Sequence, residues 1–317
     1  ALLAGGRVGL AYGSTHGSSE AMEVFTRDLF STYSHAGLQG TGYLKFMSHT
    51  CAANLAQYYG IRGRVVPTCA ACVSGSLAIG TGYELLRAGT QDAVLCGGAE
   101  ELHFVHAAVF DMLYATSRRY NDRPDESPRP FDAARDGLVI GEGAGTLLLE
   151  RYEHAAARGA RVYAEVIGYG SNCDGTHVTS PSADGMADAM RLALDDAGVA
   201  AGEVGYVNAH ATATEVGDVA EAEATRRVFG EAVPVSSTKG HTGHTLGACG
   251  ALEAAFCVAV MRDGFLPATR NLTRVGDGCG GVDHVMGSAR ERRVDVVMSN
   301  NFAFGGVNTS LVLRRVG

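Results

Sequence analysis

VVPTCAACVSGSLAIG, Val65–Gly80, runs from a β-branched strand through a Pro-Thr turn into an Ala/Leu/Ile helix. The same progression returns at VPVSSTKGHTGHTLGACG, Val233–Gly250. A second pair repeats too. GLVIGEGAGTLLLER (Gly137–Arg151) resembles SNNFAFGGVNTSLVLRR (Ser299–Arg315): a Gly-rich turn, then an apolar strand closing in Arg. Two similar βα halves would bring their strand ends together, where open α/β sheets place their sites. The boundary falls in the helical link Tyr152–Ala160, giving halves 1–157 and 158–317. On residues alone, so loose a repeat can also arise by chance.

Working outward, strand-like runs lie at Arg7–Tyr12, Ala93–Gly97, Leu138–Glu150, Val162–Gly170, Gly205–Ala209, Val294–Asn300 and Thr309–Arg314. Arg64–Thr68 and Val233–Ser237 open the two quoted repeats. Helical runs alternate with them at Ser18–Phe30, Leu44–Tyr59, Cys72–Arg87, Val105–Tyr114, Gly185–Ala197, Val219–Val228 and Gly247–Arg262. That alternation predicts an α/β fold with mainly parallel, buried strands.

Of 317 residues, 46% are apolar and 19% charged, which fits a compact domain and excludes disorder. A formal charge of −8 disfavours non-specific nucleic-acid binding, so an acidic protein partner would need a local basic patch. No apolar run is long enough for a bilayer-spanning helix. The opening ALLAGGRVGLAYGS has no export signal and starts almost directly in a strand, so an upstream segment is expected. The eight cysteines are scattered through apolar sequence and read as reduced thiols in a cytoplasm.

Four segments could carry chemistry. In the first, Cys72 stands at the start of the predicted helix, where free backbone N–H groups favour a thiolate. A cysteine there can fall below its usual pKa of about 8.5, with a helix-terminus contribution on the order of 0.3–1 kcal/mol. Cys69 and Cys72 also spell C-x-x-C, but one such pair without further ligands is a weak zinc or redox signal. The plain alternative is two core thiols. In the second, NAHATATEVGD, an apolar strand ends at His210. Thr212 and Thr214 then share one face of extended backbone, suited to an amide-bearing tail or to capping a helix. In the third, STKGHTGHTLG, Lys239, His241 and His244 stand near a strand end before an apolar helix holding a lone acid, Glu253. Such groups are costly to bury unless hydrogen-bonded. In the fourth, NNFAFGGVN, Phe302 and Phe304 are flanked by glycines that can present a backbone N–H or form a plain turn. No phosphate-binding glycine motif is present, because GEGAG precedes a strand and not a helix.

These segments resemble the β-ketoacyl-acyl carrier protein synthases of the thiolase superfamily. AACVSG resembles their nucleophile motif, HATAT their H-G-T-x-T, TKGHTGHTLGACG their Lys-and-His segment, and NNFAFGGVN their N-x-F-G-F-G-G-x-N. GGAEE (Gly97–Glu101) and SPRPFDAARDGLVIGEGAG (Ser127–Gly145) also fit, in the right order. HATAT, FAFGGVNTS and CGGVDHVMG look closest to synthases of aryl polyene pathways.

The resemblance implies a thiolase-like α-β-α-β-α sandwich whose first half lacks roughly ninety N-terminal residues (compare typical domain sizes). It implies that Cys72 takes an acyl group from carrier-protein phosphopantetheine, with no metal or other cofactor. His210 and His244 then stabilise the enolate formed by decarboxylating a malonyl group. Lys239 gives electrostatic support and holds His210. Backbone N–H groups of Cys72 and Phe304 form an oxyanion hole. Thr212 and Thr214 bond the phosphopantetheine amides, Phe302 lines the substrate site, Phe304 gates it, and Glu253 lies behind. His16 lines the acyl pocket, and His241 is structural. Partners are acyl carrier protein and a second subunit, identical or ketosynthase-like. Ala211 and Ala303 replace family glycines, and either could stiffen a loop or restrict the pocket. A degradative thiolase would want a second reactive Cys in FAFGGVN, and a type III synthase an Asn in place of His244. A non-catalytic chain-length partner would lose Cys72.

Overall fold

The computed structural model describes residues 3–316. Its first half runs β1 (Val8–Gly13), α1 (Ser19–Thr32), α2 (Gly40–Phe46), α3 (Thr50–Tyr59), β2 (Val65–Pro67) and α4 (Ser74–Arg87). It continues with β3 (Ala93–Glu100), α5 (Phe104–Met112), β4 (Gly143–Glu150) and α6 (Tyr152–Ala157). The second half opens with β5 (Ala164–Cys173), α7 (Ala183–Ala197), β6 (Tyr206–Asn208), α8 (Glu215–Phe229) and β7 (Pro234–Ser236). After these come α9 (Lys239–Thr242) and α10 (Cys249–Asp263). Then follow the short strands β8 (Phe265–Leu266), β9 (Asp283–His284) and β10 (Arg290–Glu291). The chain closes with β11 (Val296–Phe302) and β12 (Val307–Arg315).

The first sheet has the order β2-β1-β3-β4, and the second β5-β12-β11-β6-β7-β9. β4 is antiparallel to β3 as β12 is to β11, while β1 and β6 pair in parallel on both sides. The two halves therefore share one plan, β4-β3-β1-β2 matching β12-β11-β6-β7. The sheets are mixed, because the two Arg-closing strands run against their neighbours.

Apolar periodicity decides the layers. Ala52 and Ala56 of α3 pack on Leu10 and Tyr12, covering the outer face of the first sheet. Ala78 and Ile79 of α4, with Ala254 of α10, fill the space between Ala11 and Val94 of one sheet and Leu311 of the other. Met186, Met190 and Leu194 of α7 and Ala220 and Ala224 of α8 cover the outer face of the second sheet. The result is the α-β-α-β-α sandwich.

Three elements differ from their sequence reading. The expected strand Leu138–Glu150 begins only at Gly143, because Val139 and Gly141 spend their backbone groups on His244. The expected helix Leu44–Tyr59 is broken between α2 and α3, since Lys45 C=O accepts from Ser18 N–H at 2.9 Å. Cys72 lies outside its helix: α4 starts at Ser74, with Val73 as N-cap.

At the centre, the N-terminal ends of α4 and α10 touch backbone to backbone. A Cβ added at Gly75 would lie 2.8 Å from Ala251 N, and one at Gly250 2.6 Å from Ser76 N. Neither neighbour is a side chain that can swing away. Gly250→Ala is therefore expected to cost about 1–3 kcal/mol through overpacking. It should read as a lower urea midpoint at unchanged slope. Gly202→Ala, with nothing within 4 Å of its added Cβ, should leave the midpoint unmoved. Equal midpoints for the two variants would contradict the close contact.

Candidate active site

The strand β2 ends at Pro67, and the chain turns sharply through Ala71, whose φ is +47°. Ser74 holds this turn: its Oγ accepts Ala70 N–H at 2.9 Å and lies 2.7 Å from Ala71 C=O. The turn presents Cys72, almost wholly buried, at the inner end of a cavity of about 520 Å³.

His244 comes from the other half, 172 residues along the chain, with Nε2 3.0 Å from Cys72 Sγ. Its main chain is pinned by GLVIGEG: His244 N–H donates to Val139 C=O at 2.7 Å, and Gly141 N–H to His244 C=O at 3.0 Å. His210 follows β6. The Glu221 carboxylate accepts both His210 N–H (2.7 Å) and Ala211 N–H (2.6 Å). The two imidazole rings meet edge to face, centroids 5.2 Å apart. Ligand atoms of Cys72, His210 and His244 all lie within 4.8 Å of one another, as do those of His210, Cys249 and Glu253. Each set could hold a metal ion.

Behind the rings, Lys239 is buried and ion-paired with Glu253 Oε1. Burial works against the lysine charge, but Glu253 and Cys249 together lift its pKa above the ordinary value. Burial, then the Lys239 charge, hold both imidazoles well below their usual pKa; His244 further depresses His210. Both rings are neutral at pH 7.

Cys72 corrects the sequence expectation. Burial pushes its thiol up to about 12, with Lys239 opposing and Glu100 adding. A helix terminus contributes on the order of 0.3–1 kcal/mol, too little to offset desolvation. The thiol is protonated at rest, and His244 Nε2 stands where it can take the proton.

Thr212 and Thr214 both line the cavity, their hydroxyls 3.2 Å apart. Thr214 occupies the N-cap position of α8 without making a side-chain cap bond, and its hydroxyl pairs with that of Thr212 instead. Phe302 is buried beside the His210 ring, centroids 6.2 Å apart. Phe304 is 36% exposed at the cavity wall, its ring 5.4 Å from that of Phe110. Ala211 and Ala303 are absent from the positive-φ residues, so these replacements of glycine introduce no backbone strain.

Two candidates stand elsewhere. His16 does not line this cavity; its Nε2 lies 3.1 Å from His106 Nε2, over Ser19. His241 Nε2 donates to Ala268 C=O, away from the rings. Cys69 is exposed and donates to Ser48 C=O at 2.6 Å, so the C-x-x-C pair does not converge on a metal set.

Sequence reasoning missed the carboxylates that fasten these loops. Glu100 accepts from Thr15 N–H (2.8 Å) and Gly247 N–H (3.0 Å), tying the halves together. Asp218 accepts from Phe131 N–H (2.7 Å) and Ala213 N–H (3.1 Å). Asn301 and Cys249 were also missed, although both lie behind His210. The available signal was an acid or amide embedded in otherwise apolar or Ala-rich sequence, as in AEAEAT around Glu221.

The model of the β-ketoacyl synthase N-terminal domain matches residues 2–155, and that of the C-terminal domain residues 163–273. 3-Oxoacyl-[acyl-carrier-protein] synthase 1 of Escherichia coli is 38% identical over 98% of this chain and 76% of its own length. The chain belongs to the β-ketoacyl synthase family. A β-ketoacyl synthase crystal structure from Burkholderia phymatum superposes with a TM-score of 0.97 at 52% identity, over 99% of this chain and 77% of that one. A ketosynthase in complex with its chain length factor from Xenorhabdus doucetiae matches with a TM-score of 0.83 at 32% identity, over 98% of this chain and 75% of that one.

The thiol's protonation state has a direct reading. Alkylation of Cys72 by iodoacetamide, followed by peptide mass mapping, should keep accelerating with pH through 9, since the thiolate fraction is still rising there. A plateau below pH 8 would contradict the burial argument.

Proposed function

We propose that this chain catalyses decarboxylative Claisen condensation of an acyl-Cys72 thioester with a malonyl group on acyl carrier protein. The observation that carries this reading is one thiol facing two neutral imidazoles at the end of a cavity lined by paired threonine hydroxyls. Cys72 Sγ attacks the thioester carbonyl of an acyl group held on carrier-protein phosphopantetheine. Its proton passes to His244 Nε2 and on to the departing phosphopantetheine sulfur, so the acyl group changes sulfurs without net redox change.

Malonyl-carrier protein then binds, with Thr212 and Thr214 bonding the amides of its arm. The bond to the carboxylate breaks, carbon dioxide leaves, and the electron pair becomes an enolate. Neutral imidazoles can each aim an N–H at that oxygen. His244 Nδ1 has no partner, so neither of its tautomers is enforced. The enolate carbon attacks the acyl carbonyl, Cys72 leaves as thiolate, and a β-ketoacyl product remains on the carrier. Burial, with the Lys239 charge added, keeps the rings uncharged, and Glu253 holds Lys239. Backbone N–H groups of Cys72 and Phe304 serve the oxyanion, and Phe304 gates the cavity. His16 does not line the cavity, so a bearing on chain length would act through its contact with His106.

The carrier protein in the relative's name and the chain length factor beside another support carrier and subunit partners for this chain. Subunits could be identical or ketosynthase-like, and the pathway fatty acid, polyketide or aryl polyene synthesis. Presence of Cys72 argues against a silent chain-length subunit. Eight free thiols suit a cytoplasm, and no helix of the described residues is long and apolar enough to cross a membrane.

Cys72→Ser should abolish condensation and acyl mass-labelling, while acyl label retained on Cys69 would overturn the nucleophile. His244→Ala should lower malonyl decarboxylation by roughly a hundredfold or more, the usual effect of removing one donor to an oxyanion. Carbon dioxide release at the parental rate would refute that role.

A further inference from the structure

Asn301 is the second residue of NNFAFGGVN, a place to which the sequence reading gave no function. It is fully buried at the end of β11. Its Nδ2 lies 2.6 Å from Glu253 Oε2, 3.4 Å from His210 Nδ1 and 3.6 Å from Cys249 Sγ. Glu253 is held by Lys239 through its other oxygen.

This arrangement fixes the amide's orientation. A flipped Asn301 would turn its carbonyl oxygen toward the Glu253 oxygen, two acceptors in contact, so the NH₂ faces the carboxylate. An amide nitrogen donates and does not accept. Toward His210 it can only offer a hydrogen, which requires a bare Nδ1 and leaves the ring proton on Nε2. Nδ1 is the nitrogen turned to Asn301, so Nε2 is the one left for the cavity that His210 lines.

We propose that Asn301 is a positioning residue that locks His210 in its Nε2–H tautomer, taking its own orientation from the Lys239–Glu253 pair. The consequence rests on the function proposed above: an Nε2–H can donate to the enolate, whereas a bare Nε2 would repel it. His244 has no equivalent partner at Nδ1. The two imidazoles are thus different instruments: His210 is held as a fixed donor, and His244 is left able to take and return a proton.

The test is ¹⁵N NMR of the full chain labelled at histidine, with His210 assigned by the loss of its signals in His210→Ala. The parent protein should show a protonated Nε2 and a bare Nδ1. Asn301→Leu, similar in size but without a donor, should show the proton redistributed toward Nδ1. Its malonyl-carrier decarboxylation kcat should fall roughly ten- to a hundredfold, part of what losing an oxyanion donor costs. KM should change by less than about threefold and acyl labelling of Cys72 should persist, the pattern of a lost transition-state interaction. A proton on Nδ1 in the parent overturns the proposal, as does an unchanged tautomer in Asn301→Leu whatever its rate. Should Asn301→Leu not fold, the parent spectrum alone decides. If His210→Ala decarboxylates at the parental rate, the catalytic reading of His210 fails, while the spectra still decide the role of Asn301.

Discussion

Two helix ends meet without side chains between them, and the site exists because of that meeting. Gly75 at the start of α4 and Gly250 at the start of α10 let the halves approach backbone to backbone. A Cβ at Gly98 would likewise lie 2.3 Å from Gly247 C=O. Cys72 enters from one half and His244 from the other, and only this approach puts them 3.0 Å apart. Glu100 strengthens the junction by accepting backbone N–H groups from Thr15 and Gly247.

The same closeness buries these side chains, and desolvation then decides the charge of each group. For Cys72, burial pushes the thiol up to about 12, and a helix end, worth only on the order of 0.3–1 kcal/mol, does not offset it. For the imidazoles, burial and the Lys239 charge act in one direction, toward neutrality. For Lys239 they oppose, and Glu253 tips the balance to the charged form. A buried ion pair is weak support for stability, so its value here lies in setting the state of its neighbours.

Much of this was legible in the sequence because strand-turn-helix patterns carry their own punctuation. VVPTCAACVSGSLAIG and VPVSSTKGHTGHTLGACG gave both helices, and HATAT gave a histidine at a strand end with two hydroxyls beyond it. What stayed hidden depends on contacts between distant segments. Nothing local says that Val139 and Gly141 will bind the main chain of His244 instead of extending β4. Nothing local says that Glu221 will fasten the loop of His210, or that Asn301 will sit between Glu253 and that ring. The state of Cys72 was misjudged for the same reason. Helix position can be read along the chain, but burial depends on the other half.

The central claim is that burial keeps both imidazoles uncharged beside a protonated thiol. Following the ring resonances of His210 and His244 by NMR from pH 8 downward tests it most directly. Both should remain neutral through the usual histidine value of 6.5, titrating only well below it or not before the fold is lost. Protonation of either ring at or above 6.5 would mean that water reaches the junction, and the account of the site would be wrong.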